Sequence, residues 1–199
     1  MQTVQRCVWA MQYPIFLPYH DEEWGVPLFD SQRLFALLVL EYMQAGLSWQ
    51  LILQKRQAFE QNYDHFQPEI IAGYQSDKIN ALLRNPDVIR NRAKIEATIH
   101  NAKAYLMLYQ RGITLSEVLW DMVAGEPIIN HWRTQQQVPA VTPLAEKLAK
   151  RLKQLGFKFV GPTTCYAFMQ AMGMVDDHLI DCFCHTEQRS IPRVKVLSP

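Results

Sequence analysis

Apolar positions along the chain recur at helical spacing, and no stretch shows a convincing strand alternation. "QRLFALLVLEYMQA" follows Asp30 and Ser31, both good N-cap types, and Gly46 can end that helix. Ser48 can cap "WQLILQKRQAFEQNY". A short helix fits "PEIIAGY", with Pro68 at its first position. Ser76 or Asp77 is the expected cap of "KINALLR". Asp87 opens a long helical pattern, "VIRNRAKIEATIHNAKAYLMLYQR", which Gly112 stops. Residues 114–124 read as another helix. Residues 125–142 are polar and contain proline, and read as a long connection. "PLAEKLAKRLKQL" and "PTTCYAFMQAM" form two helices around "GFKFVG". The expected class is all-α. Residues 1–186 form one domain, with a hairpin motif at about 144–173, and 187–199 form a tail, disordered or packed as an extended arm.

Composition narrows the function classes. The 199 residues suffice for one domain with a real core. The formal net charge of +1 excludes a uniformly basic surface but leaves room for a local basic patch. "LFALLVL" is the longest uncharged apolar run, far too short to cross a membrane. The N-terminal "MQTVQRCVWAMQYP" lacks the apolar core of a signal peptide. The expectation is a cytoplasmic protein with no membrane partner. Its four cysteines are then thiols or metal ligands rather than disulfides.

Three local groupings carry chemistry. In the first, Gly156 and Gly161 bracket "FKFV", and Pro162 opens the next helix. Such a turn aims backbone N–H groups outward, and the helix adds its positive end. Lys147, Lys150, Arg151, Lys153 and Lys158 surround it. Gly156, Lys158, Gly161 and Thr163 are the candidate phosphate contacts; a plain helical corner with a solvated lysine face reads the same way. In the second, His178 and Cys182 share one face if "HLIDC" is helical, which makes half a tetrahedral zinc site. Cys7 and His20 are candidates for the other half, and Cys184 and His185 are decoys nearby. A buried thiol beside a surface histidine is the plainer alternative.

The third grouping centres on Glu41. On a helix it shares a face with Leu34, Leu37, Leu38 and Ala45, so it points toward the core side. The aromatic residues Trp9, Phe16, Tyr19, Trp24 and Trp49 flank it in sequence. A half-buried carboxylate among aromatic faces can accept from a base amino group while the rings sandwich the base. A cationic base suits it best, through charge and cation–π attraction. The aromatics could equally be ordinary core, with Glu41 reaching water from a helix end.

Together these residues resemble the DNA-3-methyladenine glycosylase I family. The resemblance runs from about Cys7 to Cys184. It is carried by "RCVWA", "YHDEEWGVP", "LEYMQAGLSW", "VIRNRAKIEATIHNAKAY", "GFKFVGPTTCYAFMQAMGMVDDH" and the closing H-x-x-x-C. It implies a helix-hairpin-helix glycosylase fold and double-stranded alkylated DNA as partner. It implies release of N3-methyladenine by hydrolysis of the N-glycosidic bond, leaving an abasic site. It implies one structural Zn2+ per chain, held by Cys7, His20, His178 and Cys182. The base pocket would be Glu41, with Tyr19 and Trp49 and, more loosely, Trp9, Phe16 and Trp24. Gly46 and Leu47 would fill the gap left by the extruded nucleotide, as apolar wedges do, unless Leu47 packs in the core of a tight turn. One domain for one lesion makes a monomer the expectation. Most of the wider superfamily carries an aspartate soon after the hairpin; here "GPTTCYAFMQAMG" has no acid. Family members carry glycine directly after the glutamate, whereas Tyr42 here either narrows the pocket or faces away. A non-catalytic binder of damaged or abasic DNA, or a glycosylase preferring a base such as N3-methylguanine, would share most of these residues.

Overall fold

The computed structural model describes residues 4–189. A 3-10 turn at Val8–Met11 leads into α1 (Phe16–Glu22), α2 (Ser31–Gln44) and α3 (Trp49–Asn62). Then follow α4 (Pro68–Ile71), α5 (Ser76–Arg84), α6 (Arg92–Gln110), α7 (Leu115–Trp120), α8 (Pro143–Gln154) and α9 (Pro162–Ala171). Most of the residues proposed for the tail, 190–199, lie outside the described residues.

Helix α2 is the axis of the molecule. It packs against α3, α6, α7 and α9, because Leu34, Phe35, Leu38 and Val39 along it are closed to solvent. Its ends are set by side chains. Asp30 accepts from the Arg33 N–H at 2.8 Å, which satisfies a donor the helix itself leaves unpaired. After Gln44 the chain turns at Gly46 with φ +80°, a conformation that costs glycine little. Ser48 then caps α3 through the Leu51 N–H at 3.3 Å. The turn between α2 and α3 is therefore short and tightly specified, and Glu41 sits one turn before it.

Four boundaries differ from the sequence reading, the first being α4, which stops at Ile71 rather than running through "PEIIAGY". Helix α6 starts at Arg92, not near Asp87. The Asp87 N–H is taken by the Asn85 side chain at 2.9 Å, and Asn91 caps the helix through the Lys94 N–H at 3.2 Å. Ser76 and Asp77 lie inside α5, whose cap position is Gln75 with no side-chain bond. Helix α7 stops at Trp120, and Asp121–Val123 tightens into a 3-10 turn. The chain is also not purely helical. Strand β1 (Ile128–Ile129) pairs parallel with β2 (Val175–Asp176), inside what reads as connection and post-helix segment. Two residues per strand leave no periodicity to detect, and the pairing exists only through tertiary contact.

Candidate functional site

A cavity of about 260 Å³ opens between α1, α2, α3 and α9. Trp9, Tyr19, Trp24, Glu41 and Trp49 line it, so five of the six residues proposed for base binding meet there. The Tyr19 and Trp49 rings are 5.3 Å apart and inclined at 49°, and Trp9 and Trp24 meet edge to face at 5.1 Å. The exception is Phe16. It lies behind the wall, buried edge-on against Trp9 at 5.8 Å and Tyr13 at 5.5 Å. It supports the pocket without lining it, because the turn before α1 sends Phe16 under Trp9.

Glu41 is 5% exposed and makes no hydrogen bond to any described residue. It is the single carboxyl among the lining residues. Burial pushes its pKa up to about 8, because a desolvated carboxylate without donors is disfavoured. The same burial, with the Glu41 charge second, raises the Tyr19 hydroxyl well above its ordinary value. The Trp49 indole N–H is also buried, with no acceptor among the described residues. The cavity thus holds an unused carboxyl among aromatic residues, with an unpaired indole N–H buried in its wall.

Tyr42 does not narrow this pocket. It is fully buried on the opposite side of α2, and its hydroxyl donates to Thr98 Oγ1 of α6 at 2.7 Å. Met43 is fully buried as well, and neither residue lines the cavity. Consecutive helical residues diverge by about 100°, so Glu41 and Tyr42 serve different neighbours.

Gln44, Gln135, Ala167 and Gln170 complete the lining and escape the sequence reading. Gln44 is one turn past Glu41, a signal that was visible. Gln135 belongs to a 3-10 turn in the connection, and nothing local marks it. Gln170 donates to Asp177 at 2.8 Å. Asp177 also accepts from Tyr166, Asn130 and Trp132, at 2.5, 2.7 and 2.7 Å. With four donors it is a fixed structural hub behind α9, not a carboxylate free for the cavity.

In the turn after α2, Leu47 is 38% exposed, so it projects from its turn rather than joining the core. The hairpin between α8 and α9 carries Gly156 at φ +93° and Phe159 at φ +57°. Asn101 of α6 bonds the Lys158 backbone in both directions, at 2.7 and 3.1 Å. The N–H groups of Phe159, Val160 and Gly161 make no hydrogen bond among the described residues. Gly161 is the N-cap of α9, and Thr163 is exposed in its first turn. Lys147, Lys150, Lys153 and Lys158 are exposed around it, so the geometry suits an anion.

Behind the pocket the two ends of the described chain meet. Cys7, His20 and Cys182 bring one ligand atom each within 4.8 Å of the others, and His20, His178 and Cys184 form an overlapping trio. The segment from His178 to Cys182 is not helical, so the shared helix face is corrected: turns, not i,i+4 spacing, aim these side chains inward. Cys184 is within reach of the set, whereas His185 is turned away to the Asn130 carbonyl at 2.9 Å.

Cys7, His20 and Cys182 are donors of the types that hold a tetrahedral metal, and His178 joins them only through the overlapping trio with His20 and Cys184. Asp21 and Asp176 contact Nδ1 of His20 and His178, both at 2.8 Å. Hydrogen bonds with His178 and Thr186 hold Asp176 low, even against its burial, so it is an acceptor. The His178 Nδ1 therefore carries the hydrogen, and Nε2 keeps its lone pair, buried and without a partner among the described residues. Carboxylates arranged so fix metal-ligating histidines. His20 Nε2 lies 3.5 Å from Cys182 Sγ. Hydrogen bonds from Cys184 and Cys7 hold the Cys182 thiol well below its usual range, and the same bond raises Cys7. Gly25 is required here: at φ +72° an added Cβ would come within 2.5 Å of the His178 ring.

Residues 9–185 match the family described as methyladenine glycosylase. A DNA-3-methyladenine glycosylase of Haemophilus influenzae is 47% identical over 181 residues, 91% of this chain and 98% of that protein. A crystal structure of 3-methyladenine DNA glycosylase I superposes with a TM-score of 0.89 at 46% identity, covering 91% of this chain and all of that one. A Staphylococcus aureus 3-methyladenine DNA glycosylase I, solved to explain 3-methyladenine recognition, superposes at 0.85 with 40% identity, over 89% of this chain and 94% of its own. A likeness of this depth, spanning both the pocket and the joined chain ends, means that this chain belongs to the methyladenine glycosylase family.

Proposed function

We propose that this protein is a DNA-3-methyladenine glycosylase that extrudes N3-methyladenine from alkylated double-stranded DNA and hydrolyses its N-glycosidic bond. The carrying observation is Glu41, a buried carboxyl with no partner among the described residues, lining one cavity with Tyr19 and Trp49. The N3-methylated nucleotide is cationic. When the bond breaks, its electron pair passes to the base, which leaves neutral. C1′ takes hydroxide from water, and one proton goes to solvent. The leaving group is already good, so the pocket needs no second carboxylate to activate water.

The residues act mainly by binding. Glu41 accepts from the N6 amino group, and the cation restores the ionised carboxylate that burial disfavours. Tyr19 and Trp49 stack on the base, and Trp9 and Trp24 close the pocket. Binding the departing base better than the stacked ground state lowers the barrier. Leu47 and Gly46 fill the vacated place in the duplex. The free N–H groups of the hairpin, with Lys158 and Thr163 and the helix-hairpin-helix geometry of α8 and α9, hold the phosphate backbone without reading sequence. Tyr42, which could have favoured a non-catalytic binder, packs away from the pocket.

One zinc ion is proposed on Cys7, His20, His178 and Cys182, with a structural role: when bound it ties the two chain segments together. Metal analysis of protein purified without chelator should find about one zinc per chain. The functional reading is tested by incubating an excess of protein with methylated DNA and analysing the released bases. 3-Methyladenine is expected. Its absence sinks the reading, and N3-methylguanine alone would shift the substrate.

A further inference from the structure

Lys94, Thr98 and Asn101 are buried, at 5%, 0% and 0% exposure. Their spacing places them on one face of α6. Polar groups inside an apolar face are destabilising unless each is paired. All three are paired, and with different elements. Lys94 Nζ donates to the Met43 carbonyl at 2.9 Å and the Ala45 carbonyl at 2.6 Å. It therefore covers the C-terminal end of α2, where the helix dipole favours a cation, and grips the turn that carries Gly46 and Leu47. Thr98 Oγ1 accepts from Tyr42 and donates to the Lys94 carbonyl at 2.9 Å. Asn101 holds the hairpin by both backbone groups of Lys158. The Tyr42 and Phe159 rings, 6.0 Å apart, close the gap between.

Apolar packing alone lets a turn and a hairpin slide; directional bonds from one rigid helix do not. None of the three side chains lines the cavity. We propose that Lys94, Thr98 and Asn101 form a positioning strut that fixes the distance between the Leu47 turn and the Lys158 hairpin, so that both engage one distorted duplex together. The strut rests on the reading of those two elements as DNA contacts. It acts on duplex engagement and leaves the recognition of a free base untouched, which no general loss of structure would do.

The test uses the full chain with Lys94→Met, Asn101→Asp and both together. Asn101→Asp keeps the acceptor for the Lys158 N–H and removes the donor to its carbonyl. Two titrations are compared: a duplex with a tetrahydrofuran abasic analogue, and free 3-methyladenine by calorimetry. Each single variant is expected to weaken duplex binding by about tenfold or more, the cost of the buried hydrogen bonds left unmade, one in Asn101→Asp and two in Lys94→Met, with free-base affinity unchanged. Losing either end frees the spacing, so the double variant should lose little beyond the worse single. Parallel loss of both affinities, additive losses, or unchanged duplex binding would each overturn the strut. If Lys94→Met fails to fold, Thr98→Val with Asn101→Asp gives the same comparison. Leu47→Ala separates the two levels. If it weakens the duplex while the strut variants do not, the strut alone falls. If it changes nothing, the reading of the turn falls and takes the strut with it.

Discussion

Around α2 the protein is held by apolar burial. Phe35, Leu38, Phe59 and Phe168 are closed to solvent within one continuous cluster. Where the chain ends meet, the buried set is Cys7, Leu179, Cys182 and Cys184, with Trp9 and Trp132 at its edge. The first region can stand on its apolar area. The second cannot, and relies on paired polar groups: Arg6 on Asp21 at 2.7 Å, Asp176 on His178 and Thr186, Asp177 on its four donors. The pocket lies on the seam. Trp9, Tyr19 and Trp24 come from the terminal clasp, and Glu41, Trp49, Ala167 and Gln170 from the body. In the proposed function a base would therefore be held by two regions whose cohesion has different physical origins.

The largest way to break this comparison is to remove the proposed zinc. Structural zinc contributes on the order of 10 kcal/mol to small sites. Chelation, or Cys182→Ala, should open the clasp and abolish free-base binding. Most helical circular dichroism should remain, because α2 and its neighbours keep their core. Complete loss of helicity would show that body and clasp fold as one unit. The converse perturbation is Tyr42→Ala, which empties a fully buried site in the body. It should cost about 3–5 kcal/mol of stability in chemical denaturation, with free-base affinity retained at a temperature where the variant is folded. A matching loss of affinity would place Tyr42 in the pocket after all.

Glu41→Gln touches the seam itself. Base release from methylated DNA should fall by about a hundredfold, the scale of a lost electrostatic contact to the reacting group. The pH dependence has a definite sign. A pKa raised from 4.5 to about 8 means the folded state keeps its proton while the unfolded state has lost it. Glu41 therefore costs nothing below pH 4.5. Its cost grows as pH rises from 4.5 to about 8, then stays constant. Glu41→Gln should be more stable than the parent at pH 8 and indistinguishable at pH 4. For the parent, kcat/KM should rise with pH up to about 8, and this rise should vanish in the variant. A pH-independent stability difference would mean that Glu41 is not desolvated.

Periodicity made the body legible. Asp30, Ser48, Pro68, Gly46 and Gly112 mark ends that the structure bears out, and the aromatic residues around Glu41 announce the pocket. Phe16 misled because sequence proximity to Tyr19 says nothing about which side of α1 it takes. The clasp was legible only as residue types. Spacing could not join Cys7 and His20 to His178 and Cys182, since turns rather than a helix present the latter pair. Lys94 and Asn101 were also open to detection: polar side chains at apolar positions of a helix signal a specific partner. Their partners lie about 50 residues away in sequence, which no local pattern reveals.

Trp24 has a consequence for how the molecule can be watched. It lines the cavity, and its ring centroid is 4.7 Å from that of His178, edge-on at 80°. Indole emission responds to charge and contact at this range. A base entering from one side and a change in the cysteine–histidine cluster on the other reach the same chromophore. Its spectrum couples two events that no bond connects, and Trp9, which lines the same cavity with its ring 5.3 Å from that of His20, is a second chromophore so placed.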